Sequence, residues 1–298
     1  MNQEHNCMRF SQALNAYSGK TIRPLKDFST NIHKGKKVMS FGLFTPLAHE
    51  MIARADVREG IVLHPFFCDE HTEGVSVYRY EIGTEHGVSV LLGLECEALS
   101  ELVAELDVGY IVNESSLCDE EVECVQEFVR EGGVLLLGRD LYLHPQSAFI
   151  AQILGNVAKQ RDIEIFVQDL LEPCAVSKES MAGNALDSTI LEELPENNGA
   201  FGYVCLESEV PKAFAYTKMG LEKRELLSPE SFKAILKVAR EGVYQMRFCY
   251  EDLRDSKELV TTQECGLRFF PSIKGTIGCL PSAEVVHYPF VRIVALQE

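Results

Sequence analysis

The side chains best suited to chemistry lie on two short segments of similar grammar, Leu63-His64-Pro65 and Leu143-His144-Pro145, each setting an imidazole beside a turn-forming proline. Cys68 and His71 follow the first, so His64, Cys68 and His71 form an HxxxCxxH array of the ligand types that suit zinc or another transition metal. That spacing matches no metal-site pattern, and the reading it supports is histidines that satisfy loop carbonyls through a ring N–H. The ten cysteines, Cys7, Cys68, Cys96, Cys118, Cys124, Cys174, Cys205, Cys249, Cys265 and Cys279, contain no CxxC; the closest pair is Cys118 and Cys124. Zinc ribbons, thioredoxin-type motifs and iron–sulfur clusters usually draw two ligands from one short loop, so the cysteines read as small buried hydrophobes in a reducing cytosol, with no metal bound.

Acid–base and phosphate chemistry leave fainter traces. The 45 acidic residues supply so many carboxylate pairs that none stands out. Arg139-Asp140, directly after Val134–Gly138 (VLLLG), is the best-placed charged pair and reads as an ion pair that fixes its turn. Neither GxSxG, GxGxxG nor GxxxxGK[ST] occurs. The turn Gly42-Leu43-Phe44-Thr45-Pro46 carries one glycine and a proline, which removes an amide from any phosphate cradle. The formal charge of −17, with a sequence pI near 5.0, argues against nucleic acid or an anionic membrane surface as partner, since both demand clustered Lys and Arg. No apolar stretch approaches the ~20 residues of a membrane span, and the N-terminus lacks the pattern of a secretion signal, so a cytoplasmic chain with no direct membrane insertion is expected.

These residues must be positioned by an α/β framework. Lys36–Gly42 reads as a strand, Thr45 as the N-cap and Pro46 as the first residue of a helix to about Ala55, and Ile61–His64 as the next strand. A helix over Val88–Glu105 leads to a strand at Val108–Asn113. Ser116, three residues before Asp119, opens a further helix that stops at Gly132-Gly133. Strand Val134–Gly138, helix Ser147–Lys159 and strand Ile163–Val167 complete a mostly parallel open sheet with flanking helices. Residues 170–199 read as loop, and strand Phe201–Leu206 as a return to that sheet. Beyond it one helix, from Ser228 to about Arg240, precedes apolar alternation in Val243–Cys249, Leu259–Thr262, Leu267–Phe270, Gly275–Leu280 and Val285–Leu296, the rhythm of a small β-barrel-like domain. The expected organisation is an arm over residues 1–34, a sheet domain over 35–215 and the small β domain over 216–298. In such a sheet the ligand crevice lies outside the strand carboxyl ends, where Thr45, His64 and His144 are the candidate cofactor-binding residues; no catalytic residue is assigned.

One stretch carries a resemblance. Gly-Arg-Asp-Leu-Tyr-Leu-His-Pro (138–145), followed by Ile150-Ala151-Gln152-Ile153-Leu154-Gly155, resembles part of the large iron–sulfur subunit of bacterial NADH-quinone oxidoreductase, respiratory complex I, of the molybdopterin-oxidoreductase superfamily. Val108–Glu114 resembles the strand before it, and Ala53–Pro65 and Glu81–Leu94 resemble earlier pieces of the same domain. Leu227-Ser228-Pro229-Glu230, with Ala234, Leu236, Val238 and Gly242-Val243, resembles the opening helix of the superfamily's C-terminal barrel, and Lys274-Gly275-Thr276-Ile277 its late strand. The pieces are collinear from about Ile32 onward and are closest to the epsilonproteobacterial versions.

The family carries its clusters on an N-terminal region with CxxC spacings that this chain lacks. The resemblance therefore implies an accessory or structural subunit of the peripheral arm, without an active site, iron–sulfur cluster or other cofactor of its own. Its partners would be other peripheral-arm subunits, and it would be associated with the inner membrane through the complex. The alternative is a cofactor-binding oxidoreductase or electron carrier of the superfamily that uses the strand-end crevice.

Overall fold

The computed structural model describes residues 3–29, 33–55, 57, 59–65, 73–175 and 186–195, and the backbone of 200–206, 234–240, 242–248, 265–271, 285–287 and 290–293. The chain divides into two units, Met1–Pro65 with Thr72–Pro195, and Phe66–His71 with Glu196–Glu298.

The first unit is an α/β sheet. Strands β1 (Arg23–Pro24), β2 (Lys37–Phe41), β3 (Glu59–Leu63), β4 (Val75–Tyr78), β5 (Gly133–Leu137) and β6 (Ile163–Val167) lie in the order β1-β6-β5-β2-β3-β4, every neighbouring pair parallel. The expected mostly parallel open sheet with flanking helices is thus observed. The chain runs from β2 outward to β4, then crosses back to lay β5 on the other side of β2, which makes the β2/β5 seam the topological switch point.

The four central strands, β6, β5, β2 and β3, are buried on both faces, which explains their apolar runs. On one face Met39, Phe41, Ile61, Leu63, Leu135 and Leu137 join the larger core; on the other Val38, Val62, Val134, Leu136 and Phe166 pack with Leu43, Ala48 and Ile52. Ala48 and Ile52 come from helix α2 (Thr45–Arg54), whose N-cap is Phe44, one residue before the expected Thr45.

The larger core is covered by several helices, three of which the sequence reading placed differently. Residues 1–34, expected as an arm, carry helix α1 (Gln3–Ser18), which packs on α8 (Ser147–Gln160) through Cys7, Phe10 and Leu14. Burying Phe10 and Leu14 contributes about 1.5–3 kcal/mol each. The expected helix over Val88–Glu105 is two helices, α3 (Glu85–Leu92) and α4 (Ser100–Glu105), joined through a 3-10 turn at Glu97–Leu99. Leu99 returns so close to Gly93 that a β-carbon there would lie 2.5 Å from its Cδ1.

Val108–Glu114, expected as a strand, is helix α5, because Asp107 caps it: its Oδ1 accepts the Tyr110 N–H at 3.0 Å. Helix α6 (Asp119–Glu131) starts from Cys118, whose N–H donates to Glu121 Oε2 at 2.9 Å, two residues later than the expected Ser116 cap; Ser116 instead adopts φ 58°. Helix α7 (Arg139–Leu143) follows β5 directly, so His144 ends a short helix and not the strand that its likeness to His64 suggested. Among the described residues no helix is long and apolar enough to cross a membrane.

In the second unit β7 (Ala200–Leu206) does not return to the parallel sheet. It pairs antiparallel with β10 (Cys265–Pro271) and β12 (Phe290–Ile293), and β12 pairs with β11 (Val285–His287). Strands β8 (Ala234–Arg240) and β9 (Gly242–Phe248) form an antiparallel hairpin, so the helix expected to run to Arg240 gives way to strand over Ala234–Arg240. Ala234, Leu236 and Val238 alternate with period two, and Ala234–Arg240 pairs residue by residue with Gly242–Phe248. Residues 228–233, Leu259–Thr262, Gly275–Leu280 and the domain edge expected near residue 215 lie outside the described residues.

Candidate functional site at the strand carboxyl ends

The switch point is closed by main chain. Gly42, at φ 65°, turns the chain off β2, and Gly138 does so off β5; Gly138 N–H donates to the Phe41 carbonyl at 2.9 Å. A β-carbon on Gly138 would lie 1.7 Å from the Gly42 carbonyl oxygen, and one on Gly42 would lie 2.9 Å from Leu141 Cγ. The two turns are thus in direct main-chain contact just beyond the β2/β5 seam, at the edge of the crevice where sheets of this order take ligands.

Around this seam the strand-end turns assemble a buried polar cluster. His64 follows β3 and Asp140 lies in α7; His64 Nε2 stands 3.1 Å from Asp140 Oδ2, both side chains 0% exposed. The Phe44 ring, from the turn after β2, packs edge-on against His64 with centroids 5.8 Å apart. His144 Nδ1 accepts the Gln146 backbone N–H at 2.9 Å, which leaves the ring proton on Nε2, facing the Gly83 carbonyl at 3.1 Å and Glu85 Oε2 at 3.4 Å. The His86 ring lies 5.1 Å from that of His144, and its Nε2 meets the Ile190 carbonyl at 3.2 Å.

Burial dominates the electrostatics. It pushes the Glu85 carboxyl up to about 7, against the pull of His144 and His64 and with the push of Asp140. Burial likewise drives the Tyr80 phenol well above its ordinary range, with Glu85 and Asp140 adding to the effect. A second group of polar residues adjoins α7: Arg139 NH2 lies 3.7 Å from Asp169 Oδ2, the Tyr142 hydroxyl donates to Asp169, and Arg139 N–H donates to Gln168 Oε1 at 3.0 Å. Arg139 thus faces Asp169 and Asp140 faces His64, each a contact with a neighbouring turn.

Of the three candidate residues, His64 and His144 belong to one cluster, both acting electrostatically on Glu85. Thr45 is buried in the first turn of α2, on the neighbouring turn after β2. His144 meets a loop carbonyl, that of Gly83, as the loop reading of the histidines expects, whereas His64 faces a carboxylate, that of Asp140. Cys68 and His71 lie outside the described residues. Glu85 and Tyr80 escaped the sequence reading because an acid in the first turn of a helix ordinarily faces solvent, and nothing local marks this one as buried.

The described residues do not fit an iron–sulfur cluster: among them no group of three His, Cys, Asp or Glu side chains is placed to hold a metal. Cys7 is buried, donates to the Gln168 carbonyl at 3.3 Å, and has its thiol pushed up to about 12, by burial first and by Asp169 second. It is a packed thiol and not a ligating thiolate. No family model, curated protein or solved structure matches the chain.

Proposed function

We propose that the chain is a non-catalytic accessory or structural subunit of the peripheral arm of a respiratory NADH-quinone oxidoreductase of the complex I type. It would support electron transfer by docking, without an iron–sulfur cluster of its own. The observation that supports this reading is the main-chain contact of Gly138 with Gly42 directly beyond the β2/β5 seam, which leaves no room for a group between the two turns. The strand-end polar groups around it are engaged with one another, and the collinear resemblance supplies the assembly. In this reading the α/β unit and a barrel-like C-terminal unit are a scaffold, held at the cytoplasmic side of the inner membrane through the other peripheral-arm subunits. A net charge of −17 suits basic partner surfaces.

Affinity purification from the native membrane tests it. Stoichiometric copurification with complex I subunits is expected, and a chain that never associates with them overturns it.

A second reading draws on the cluster itself, since buried ionisable groups at strand ends are where functional sites concentrate. Under it the chain is a cofactor-binding oxidoreductase or electron carrier. A stoichiometric flavin, pterin or iron absorbance in the natively purified chain would favour this reading over the scaffold.

A further inference from the structure

We infer that the Glu85–His144 contact is a proton-exchanging latch. Closed, it holds the proton on the Glu85 carboxyl beside a neutral His144; open, it carries the proton on the His144 imidazole and leaves Glu85 a solvated carboxylate. In the exchange the Glu85 O–H bond breaks and an N–H bond forms at His144 Nδ1, with water as carrier and no net proton taken up or released.

The closed state follows from geometry. His144 Nδ1 accepts the Gln146 N–H, so it has no proton of its own, and Nε2–H meets the Gly83 carbonyl, with Glu85 Oε2 beside it at 3.4 Å. In the closed state the imidazole is therefore neutral, and the pull that a charged His144 exerts on Glu85 is absent, leaving burial to set its protonation. The Glu85 side chain is fully buried and shares its surroundings with the carboxyl of Asp140 and the phenol of Tyr80, so the dry pocket favours its neutral form.

The groups that face the pair come from the turns after β3, β4 and β5 and from α3. His64 ends β3, Tyr80 follows β4, Asp140 lies in α7 and His86 is in α3; Glu81, next to Tyr80, acts on Arg79. The mechanical consequence is local. Gln146 is the N-cap of α8 and Gly83 leads into α3, so His144 ties the starts of two helices together. A proton on Nδ1 removes the acceptor for the Gln146 N–H and so releases α8 from the turn.

The open state reverses the charges because water restores ordinary values, with a glutamate near 4.3 and a histidine near 6.5 by about two units. Between roughly pH 5 and pH 6.5 both states hold one proton, so opening is independent of pH there. Either partner alone would show a slope, and the two slopes have opposite sign.

Amide hydrogen exchange on the full chain measures this, with protection at Gln146 and in the first turn of α8 corrected for the chemical exchange rate. For the native chain, protection that stays within about threefold from pH 5 to pH 6.5 is expected. In Glu85→Gln, protection should fall about tenfold per unit as pH drops below roughly 6.5, because only the histidine then takes up a proton on opening. In His144→Asn it should fall about tenfold per unit as pH rises from roughly 5. Two variants with flat profiles, or with slopes of the same sign, overturn the latch.

Infrared titration of the native chain needs no variant. A protonated carboxyl band from a buried glutamic acid should be present at about pH 6, and its absence there equally overturns the proposal.

Discussion

Gly138 approaches the Gly42 carbonyl so closely that a β-carbon on it would stand 1.7 Å from that oxygen. Neither partner can retreat, since each is fixed by hydrogen bonds that continue the β2, β3 and β5 ladders: Gly42 N–H to the Leu63 carbonyl and Gly138 N–H to the Phe41 carbonyl. Gly138→Ala is therefore expected to cost about 3 kcal/mol or to prevent folding. Urea unfolding of the purified variant measures it, and a loss below about 1 kcal/mol would mean that the seam is open enough to admit a ligand.

Asp140 and His64 form a fully buried pair, and truncating Asp140 removes a charged group from beside a buried imidazole. Asp140→Ala is expected to cost about 3 kcal/mol, and Asp140→Asn, which keeps an acceptor for the imidazole N–H, about 1 kcal/mol. Equal losses in the two variants would show that packing, and not the contact with His64, accounts for the effect.

The cap at Asp107 separates the observed helix from the strand that the sequence of residues 108–113 suggests. Asp107→Ala should destabilise the chain by about 1 kcal/mol and Asp107→Ser by much less, because serine also caps. Indifference to both substitutions in thermal unfolding would argue against a helix at α5.

Helix α1 makes a similar test possible at the N-terminus. Phe10→Ala removes a ring buried against Tyr142, its centroid 6.5 Å away, and is expected to cost about 3 kcal/mol. A detached arm would give no measurable change in the urea midpoint.

Glu164 sets part of the acid limit of stability. Partial burial works to raise its carboxyl, but Lys36, His33 and Arg23 outweigh that and hold it below its ordinary 4.5. A carboxylate depressed in the folded chain stabilises at pH above its unfolded value, and loses that contribution as pH falls through the folded one. Glu164→Gln should therefore lower stability by up to about 1 kcal/mol near neutrality and have no effect at about pH 2, measured as the difference between two urea midpoints.

The parts of the fold that could be read from the sequence are those where pattern and burial agree. Strands β2, β3, β5 and β6 are apolar runs between glycines and turns, and α8 shows Ile150, Ile153, Leu154 and Val157 on one face. Helix α1 was illegible because its buried face interleaves Ser11, Asn15 and Ser18 with Cys7, Phe10 and Leu14, so that no apolar period emerges. Val108–Glu114 misled because β-branched residues prefer strands, a preference that a cap and the packing of Ile111 overrode.

The site was half legible. His64 and His144 announce themselves by their prolines, whereas Glu85 becomes distinctive only when the turns after β4 and α7 come together. That meeting is set by strand order, which no local pattern encodes.

The docking of α1 on α8 also bears on the birth of the chain. Helix α1 has its apolar face completed by a helix whose residues are made about 140 positions later, at ordinary synthesis rates a wait of roughly 7–28 s. During that interval Phe10 and Leu14 have no native surface to cover them, and β1 cannot pair with β6. The nascent α1 segment is thus a natural client for a chaperone, and cooperative folding of the parallel sheet is deferred until about residue 167 has emerged.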